Sequence, residues 1–141
     1  MSSNSRFTVA VHILALLALE ETPLSSKAIA NSVNTNPVVI RRILGVLSKD
    51  GLVATQLGVD GGSGLACAPQ QITLLAVYRA TEQGNVFAFH NSQPSTHCQC
   101  GRNIQPVLAR IFKEAEIALE MVLAETTIAD VVQNIKAQPA A

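Results

Sequence analysis

The chain has no tryptophan, one tyrosine and four phenylalanines, and its ten basic residues are balanced by ten acidic ones. A net charge of zero provides no bulk electrostatic attraction to nucleic acid, so DNA binding would depend on where single cations and helix N-termini lie. Because 48% of the 141 residues are apolar, the composition indicates a globular domain of ordinary size and excludes a disordered chain.

Only three cysteines are present, and an odd number argues against a framework of structural disulfides. The most hydrophobic run, Val9 to Leu19, is shorter than the roughly 20 residues that cross a bilayer, and His12 interrupts it. The run ends at Glu20 without a small-residue cleavage site, which is not typical of a secretory signal. We therefore predict a cytoplasmic protein without a membrane partner.

Two helical patterns with a short polar break between them fill the stretch from Ser25 to Gly51. The second pattern opens with Asn36-Pro37, where asparagine can cap a helix and proline is tolerated in the first turn. In both patterns apolar residues recur at a spacing of three to four, so each helix is expected to bury one stripe. The stretch is typical of a helix-turn-helix, whose second helix lies in a DNA major groove. The alternative is an ordinary helical hairpin with a solvated basic face.

The opposite face of the second helix carries Arg41 and Arg42, which are candidates for guanine or phosphate contacts. After a helix end at Asp50-Gly51, two short strands are predicted at residues 52–57 and 65–67, with a glycine-rich turn at residues 58–64. No Lys-Ser/Thr follows the glycines, and the chain enters a strand there, which excludes a nucleotide-binding loop. A hairpin directly after a helix-turn-helix indicates a wing.

The motifs KDGLV, from Lys49 to Val53, and GGSGLA, from Gly61 to Ala66, resemble the wing region of the Rrf2 (Rrf-two) family of bacterial winged-helix transcriptional regulators. That family, which includes an iron–sulfur cluster regulator and a cysteine-metabolism repressor, carries a Gly-Gly-x-x-Leu-Ala signature. The opening stretch, Ser5 to Leu19, is similar to the family's first helix, and the likeness extends to about residue 136. The resemblance implies a homodimer whose recognition helices enter the major groove and whose wings reach the minor groove. Family wings usually carry arginines where Val59-Asp60 and Cys67 stand here.

Three further helices are predicted after the wing, from Ile72 to Glu82, from Asn103 to Glu125 and from Ile128 to Ile135, with a brief extended run at residues 86–89. The longest has apolar residues at alternating spacings of three and four. It is either a core helix of one subunit or, as the resemblance implies, a helix that pairs across a two-fold axis. We predict the second, with an interface at Leu108, Ile111, Phe112, Ala115, Ala118, Leu119 and Val122.

A polar loop before this helix contains Cys98 and Cys100. Cluster-holding members of the resembled family carry three cysteines in this region, whereas here there are two, and one-residue spacing strains the ligation of one tetrahedral ion. We therefore predict no cofactor and no metal ligand, and keep an iron–sulfur cluster as an alternative. Thiol sensing is another, since Arg102 and the helix dipole favour the thiolate; a third is that the cysteines have no role. A Cys98–Cys100 disulfide is geometrically awkward, so a bond to Cys67 or to the partner subunit is more plausible.

Together these features predict a mainly α fold with a winged helix-turn-helix at residues 1–82, a sensing loop at 83–102, and dimerisation and C-terminal helices at 103–141. No constellation for catalysis is present, so we predict no enzyme. The predicted function is a homodimeric repressor that binds double-stranded operator DNA under a redox or small-molecule signal. The alternative is an interaction module on the same scaffold that binds no DNA. The predicted redox-sensing residues are Cys67, Cys98 and Cys100. The predicted DNA contacts are Arg6, Ser25, Ser26, Lys27, Thr35, Asn36, Val38, Val39, Arg41, Arg42, Lys49, Gln56, Gly61 and Gly62.

Overall fold

The structure is a computed structural model that describes residues 3–140, with side chains described from Ser5 onwards. Its elements are α1 (Ser3–Glu20), α2 (Ser26–Val33), α3 (Pro37–Lys49), β1 (Val53–Gln56), β2 (Gly62–Leu65), a 3-10 turn (Pro69–Gln71), α4 (Leu74–Thr81), α5 (Gln99–Glu125) and α6 (Ile128–Lys136). The prediction of a mainly α fold with a small β-hairpin is confirmed. Among the residues described, no helix is long and apolar enough to cross a membrane.

The chain divides into two compact units, Met1–Gln83 with Leu123–Ala141, and Gly84–Val122. The first boundary lies one residue after the predicted one at residue 82, whereas no boundary follows residue 102 and the chain returns to the first unit at Leu123. The C-terminal helix belongs to the first unit because Ile128 is fully buried in the same core as α1. Most of α5 belongs with the preceding loop because Phe87 and Phe89 pack against Phe112.

Helix α1 lies at the centre of the first unit, where it contacts α2, α3, α4, α6 and β2. Because it is covered on several sides, its apolar residues do not form a single stripe. Ile13 and Leu14 are fully buried, and burial of each such side chain contributes about 1.5–3 kcal/mol. The other buried members of this core are Ala10, Leu17, Ile29, Ala30, Ile40, Ile43, Leu44, Leu47, Leu52, Val53, Ile72, Val77 and Ile128.

The turn between α2 and α3 is set by local hydrogen bonds. Asn34 ends α2 in the left-handed conformation, with φ of 66°, and donates its backbone N–H to the carbonyl of Ala30 at 2.8 Å. Asn36 caps α3 because its Oδ1 accepts the N–H of Val38 at 2.7 Å, and Pro37 occupies the first turn as predicted. These contacts give α3 a defined start and leave the predicted apolar stripe facing the core.

The second strand of the wing differs from the prediction. Strands β1 and β2 are antiparallel, with Gln56 opposite Gly62, so β2 begins inside the stretch that the sequence predicted as a turn. The reason is a contact with the segment before α2, in which the backbones of Leu24 and Ser63 exchange hydrogen bonds of 3.0 and 2.8 Å. Gly62, with φ of 153°, permits this approach because a Cβ there would lie 2.6 Å from the carbonyl oxygen of Leu24.

Two helix starts and one extended run in the C-terminal half also differ from the prediction. Helix α4 begins at Leu74 and not at Ile72, because the carbonyl of Ile72 accepts the N–H of Ile128 at 2.8 Å and Thr73 serves as the N-cap. Residues 86–89 form no strand, and the chain bends at Val86 and Phe87. Helix α5 begins at Gln99, four residues before the predicted start at Asn103, so Pro106 lies well inside it.

Candidate nucleic-acid interface

The exposed side of α3 is formed by Val38, Arg41, Arg42, Gly45 and Lys49, which we call the recognition face. Val38 is 50% exposed and the other four are also exposed, whereas the side chains on the opposite side of α3 are buried. Burial on one side fixes which side of the helix can reach a ligand. The two adjacent arginines therefore project from a helix whose orientation is set by the core.

The N-terminal end of α2 is a second part of the predicted interface. Ser25 caps α2 through its Oγ, which accepts the N–H of Ala28 at 3.1 Å, and Lys27 is exposed in the first turn. The positive end of the helix dipole and this cation together form a suitable place for a phosphate group. Ser26 is half-buried in the same turn and offers less surface.

Not all predicted contact residues are equally available. Val39 packs against the hydrophobic core, and Thr35 is half-buried with its backbone N–H donated to the carbonyl of Ala30 at 3.0 Å. Asn36 is exposed, but its Oδ1 is already used as the cap of α3. These residues position the recognition helix, whereas Arg41 and Arg42 provide the hydrogen-bond donors that a partner can reach.

The wing presents apolar and acidic groups at its tip. Leu57 is 94% exposed and Val59 is fully exposed, next to Asp60, and no basic residue lies between Val53 and Leu65. Gln56 is exposed at the end of β1, whereas Gly61 and Gly62 are partly covered. The wing is held to the N-terminal end of α2 by the Leu24–Ser63 pairing, so two parts of the interface are joined by backbone hydrogen bonds.

The structure places two of the three candidate sensing cysteines at the start of α5. Cys98 immediately precedes the helix and its carbonyl accepts the N–H of Arg102 at 2.9 Å. Because α5 begins at Gln99, Cys100 lies inside the first turn and not before the helix as predicted. Both thiols are exposed, while Cys67 is half-buried in the other unit. The Nη1 of Arg102 donates to the carbonyl of Thr96 at 3.1 Å, which holds the end of the loop against the helix.

Helix α5 carries exposed apolar side chains along one side. Within the part of the chain that the structure describes, none of its residues is buried, and Val107, Ile111 and Val122 are 53, 52 and 63% exposed. Phe112 is different, because it stacks on Phe87 with ring centroids 4.5 Å apart and also contacts Phe89. Of the remaining predicted interface residues, Ala115 and Ala118 are exposed and Leu108 and Leu119 are half-buried.

Comparison with known proteins gives this arrangement a family. The model of the Rrf2 family, described as an iron-dependent transcriptional regulator, matches residues 3–134. The chain belongs to the Rrf2 family. It is 42% identical over 133 residues to a proposed HTH-type transcriptional regulator, YwnA of Bacillus subtilis (strain 168), and the match covers 94% of this chain and 98% of YwnA.

Two solved structures share the fold of this Rrf2 chain. IscR of T. potens is 26% identical, with a TM-score of 0.75 and coverage of 100% of this chain and 92% of that one. CymR, the global cysteine regulator of B. subtilis, is 24% identical, with a TM-score of 0.69 and coverage of 95 and 96%. The protein is thus a winged-helix transcriptional regulator of the Rrf2 family and not an enzyme, as the sequence predicted.

The family description names iron, and the side chains of this chain that could ligate iron can be compared with the ligands of known iron sites. Protein-bound iron–sulfur clusters are ligated mainly by cysteine thiolates, four in most cases. The second unit contains two thiols, those of Cys98 and Cys100. Among residues 3–140, no three His, Cys, Asp or Glu side chains come together in a way that could hold a metal ion. The donor set at the start of α5 does not fit a cluster.

Proposed function

We propose that this Rrf2 protein is a cytoplasmic homodimeric repressor that binds double-stranded operator DNA through the recognition face of α3. The single observation that carries the proposal is the pair Arg41 and Arg42, exposed in the middle of a helix whose other side is buried. Arginine can donate two hydrogen bonds to the O6 and N7 atoms of guanine, which is the commonest base-specific contact. A helix-turn-helix presents its second helix to the major groove in this way.

The dimer part of the proposal is supported by the exposed side of α5. Three large aliphatic side chains, Val107, Ile111 and Val122, are each more than half exposed in one chain. An identical helix related by a two-fold axis would cover such a side with the same residues, as closed symmetric dimers do. A dimer would also present two recognition helices to one operator. The second helix would compensate for the weak electrostatic attraction to DNA of a chain with zero net charge and a wing without cations.

The signal part of the proposal is supported by the two exposed thiols. Cys98 and Cys100 lie at the N-terminal end of α5, and both thiols are exposed, so a dissolved oxidant can reach them. Because the same helix is the proposed dimer helix, a modification at its start would act on the element that sets the distance between recognition helices. We expect no iron and no acid-labile sulfide in protein purified without air, and an assay of both tests this.

The DNA-binding test uses a duplex selected from a random pool by the wild-type protein. The double substitution Arg41→Ala, Arg42→Ala should weaken binding to that duplex by about 1–3 kcal/mol for each base-reading arginine, measured by fluorescence anisotropy. The matched control is Arg110→Ala, Lys113→Ala, which removes the same charge from exposed positions of α5. Equal binding by the folded Arg41/Arg42 variant and the wild type would refute the assigned recognition face.

A second candidate function, an interaction module that binds no DNA, is favoured by one observation, the apolar and acidic wing tip of Leu57, Val59 and Asp60. The same selection distinguishes the two functions. Enrichment of a defined sequence, with a steep loss of affinity at higher salt, supports the repressor. A pool that remains random after repeated selection supports the interaction module.

A further inference from the structure

A cavity of about 300 Å³ lies at the C-terminal end of the recognition helix. Three cationic side chains from three different helices line it: Arg6 from α1, Lys49 from α3 and Arg79 from α4. Asp50 is the acidic residue at its edge, and Ile43, Val46, Ala80, Thr81 and Gln83 complete the lining. All of these residues belong to the first unit, so the cavity is a feature of the winged-helix unit by itself.

The charges at this cavity need a physical explanation. Lys49 and Arg79 are in the last turns of α3 and α4, where the negative end of the helix dipole stabilises a cation. Arg6 is in the first turns of α1, where its charge opposes the dipole of its own helix. Helix dipoles therefore account for two of the cations and not for the third. The lining therefore carries three cationic side chains and one carboxylate, and this excess of cations favours a ligand with negative charge.

The position of the cavity indicates which anion this is. Lys49 belongs both to the cavity lining and to the recognition face, and Val46 of the lining is 38% exposed on the same helix. The cavity therefore borders the recognition face along the C-terminal half of α3. A helix placed in the major groove has a phosphate backbone beside it, and contacts to phosphates fix the register of the protein on the duplex.

We propose that Arg6, Lys49 and Arg79 form a phosphate-binding site that holds a backbone phosphate of the operator. This proposal rests on the proposed function, because it requires that α3 enters the major groove. Arg79 is not among the DNA contacts predicted from the sequence, where it stands as a single arginine in a helix. The packing of α4 against α1 and α3 places it in the same cavity as the other two cations. A free phosphate ion has the same chemistry, and the experiment separates the two sources.

The test uses Arg79→Gln, because Arg79 lies outside the recognition face. A phosphate contact contributes about 0.9 to the slope of log affinity against log salt concentration, so the slope should fall by about 0.9 for each protomer bound. Selected and random duplexes should be weakened alike, since phosphates carry no sequence information. Arg79→Lys should retain the slope, Arg6→Gln should reproduce its loss, and Lys136→Gln, a cation of α6 outside this cavity, should leave it unchanged.

Circular dichroism melts of each variant confirm that the protein remains folded, and a purely structural role of Arg79 would change the melting temperature without changing the salt slope. A folded Arg79→Gln protein with the wild-type slope overturns the proposal, while binding through Arg41 and Arg42 is left intact. Wild-type protein that binds no duplex refutes the proposed function and this site with it.

Titration of the full-length protein with inorganic phosphate, at constant ionic strength against chloride, identifies the other source. Stabilisation by phosphate that is lost in Arg79→Gln, together with an unchanged DNA salt slope, would assign the cavity to a small anion and overturn its assignment to operator DNA. Loss of both the phosphate effect and the DNA slope supports one phosphate site that the operator occupies.

Discussion

Replacement of Gly62 by alanine should separate the wing from the N-terminal end of α2. A Cβ at this position would lie 2.6 Å from the carbonyl oxygen, 2.7 Å from the carbonyl carbon and 2.9 Å from the nitrogen of Leu24. All three atoms belong to the backbone of Leu24, so rotation of a side chain cannot relieve the overlap. The overlap can be relieved only if β2 moves away from Leu24.

The magnitude follows from what this movement breaks. The two hydrogen bonds between Leu24 and Ser63, of 3.0 and 2.8 Å, contribute about 0.5–1.5 kcal/mol each. Alanine at a φ of 153° adds strain on the order of 1–3 kcal/mol, part of which is released when the strand moves. We therefore expect a loss of about 2–4 kcal/mol in the free energy of unfolding. For a chain of this size that lowers the melting temperature by roughly 6–16 °C.

The assay combines a thermal melt at fixed protein concentration with hydrogen exchange of the amides of Leu24 and Ser63. Both amides should exchange faster in Gly62→Ala, because each loses its acceptor. The matched control is Gly64→Ala in the same strand, where an added Cβ meets no atom of the described residues within 4 Å apart from Gly64 itself and its two chain neighbours. This control should leave stability unchanged or raise it by about 0.4–1 kcal/mol, since alanine reduces the entropy of the unfolded chain. Equal melting temperatures and equal exchange in the two variants would refute the reasoning.

Two further predictions concern the dimer and its signal. Ile111→Glu should give a monomer in analytical ultracentrifugation, because the substitution places an unpaired charge in the proposed interface. The control Ile117→Glu, which is equally exposed but lies on another side of α5, should remain dimeric. A dimeric Ile111→Glu protein would show that the interface lies elsewhere. Hydrogen peroxide should lower operator affinity of the wild type by about 5–150-fold, reversibly with a thiol reductant, and should not affect Cys98→Ser, Cys100→Ser. Wild-type binding that is insensitive to peroxide would leave these cysteines without a sensing role.

The helix-turn-helix was predictable from the sequence because its determinants are local. The cap at Asn36, the proline that follows it, and the glycine after Asp50 each act within one helical turn, so their effect does not depend on distant residues. The three-to-four spacing of apolar residues then predicts which side of α3 is buried, and the exposure of Arg41 and Arg42 follows. The wing motif was specific enough to indicate the Rrf2 family.

Contacts between distant segments decided the features that the sequence did not show. The start of β2 depends on Leu24, the start of α4 depends on Ile128, and neither partner is near in sequence to the residue that it pairs with. Propensity describes a residue in its own neighbourhood, whereas a backbone hydrogen bond across the fold can shift a boundary by several residues. The cation cluster has the same origin. Arg6, Lys49 and Arg79 are isolated positive charges in the sequence, and they share one cavity only because α1 packs against both α3 and α4.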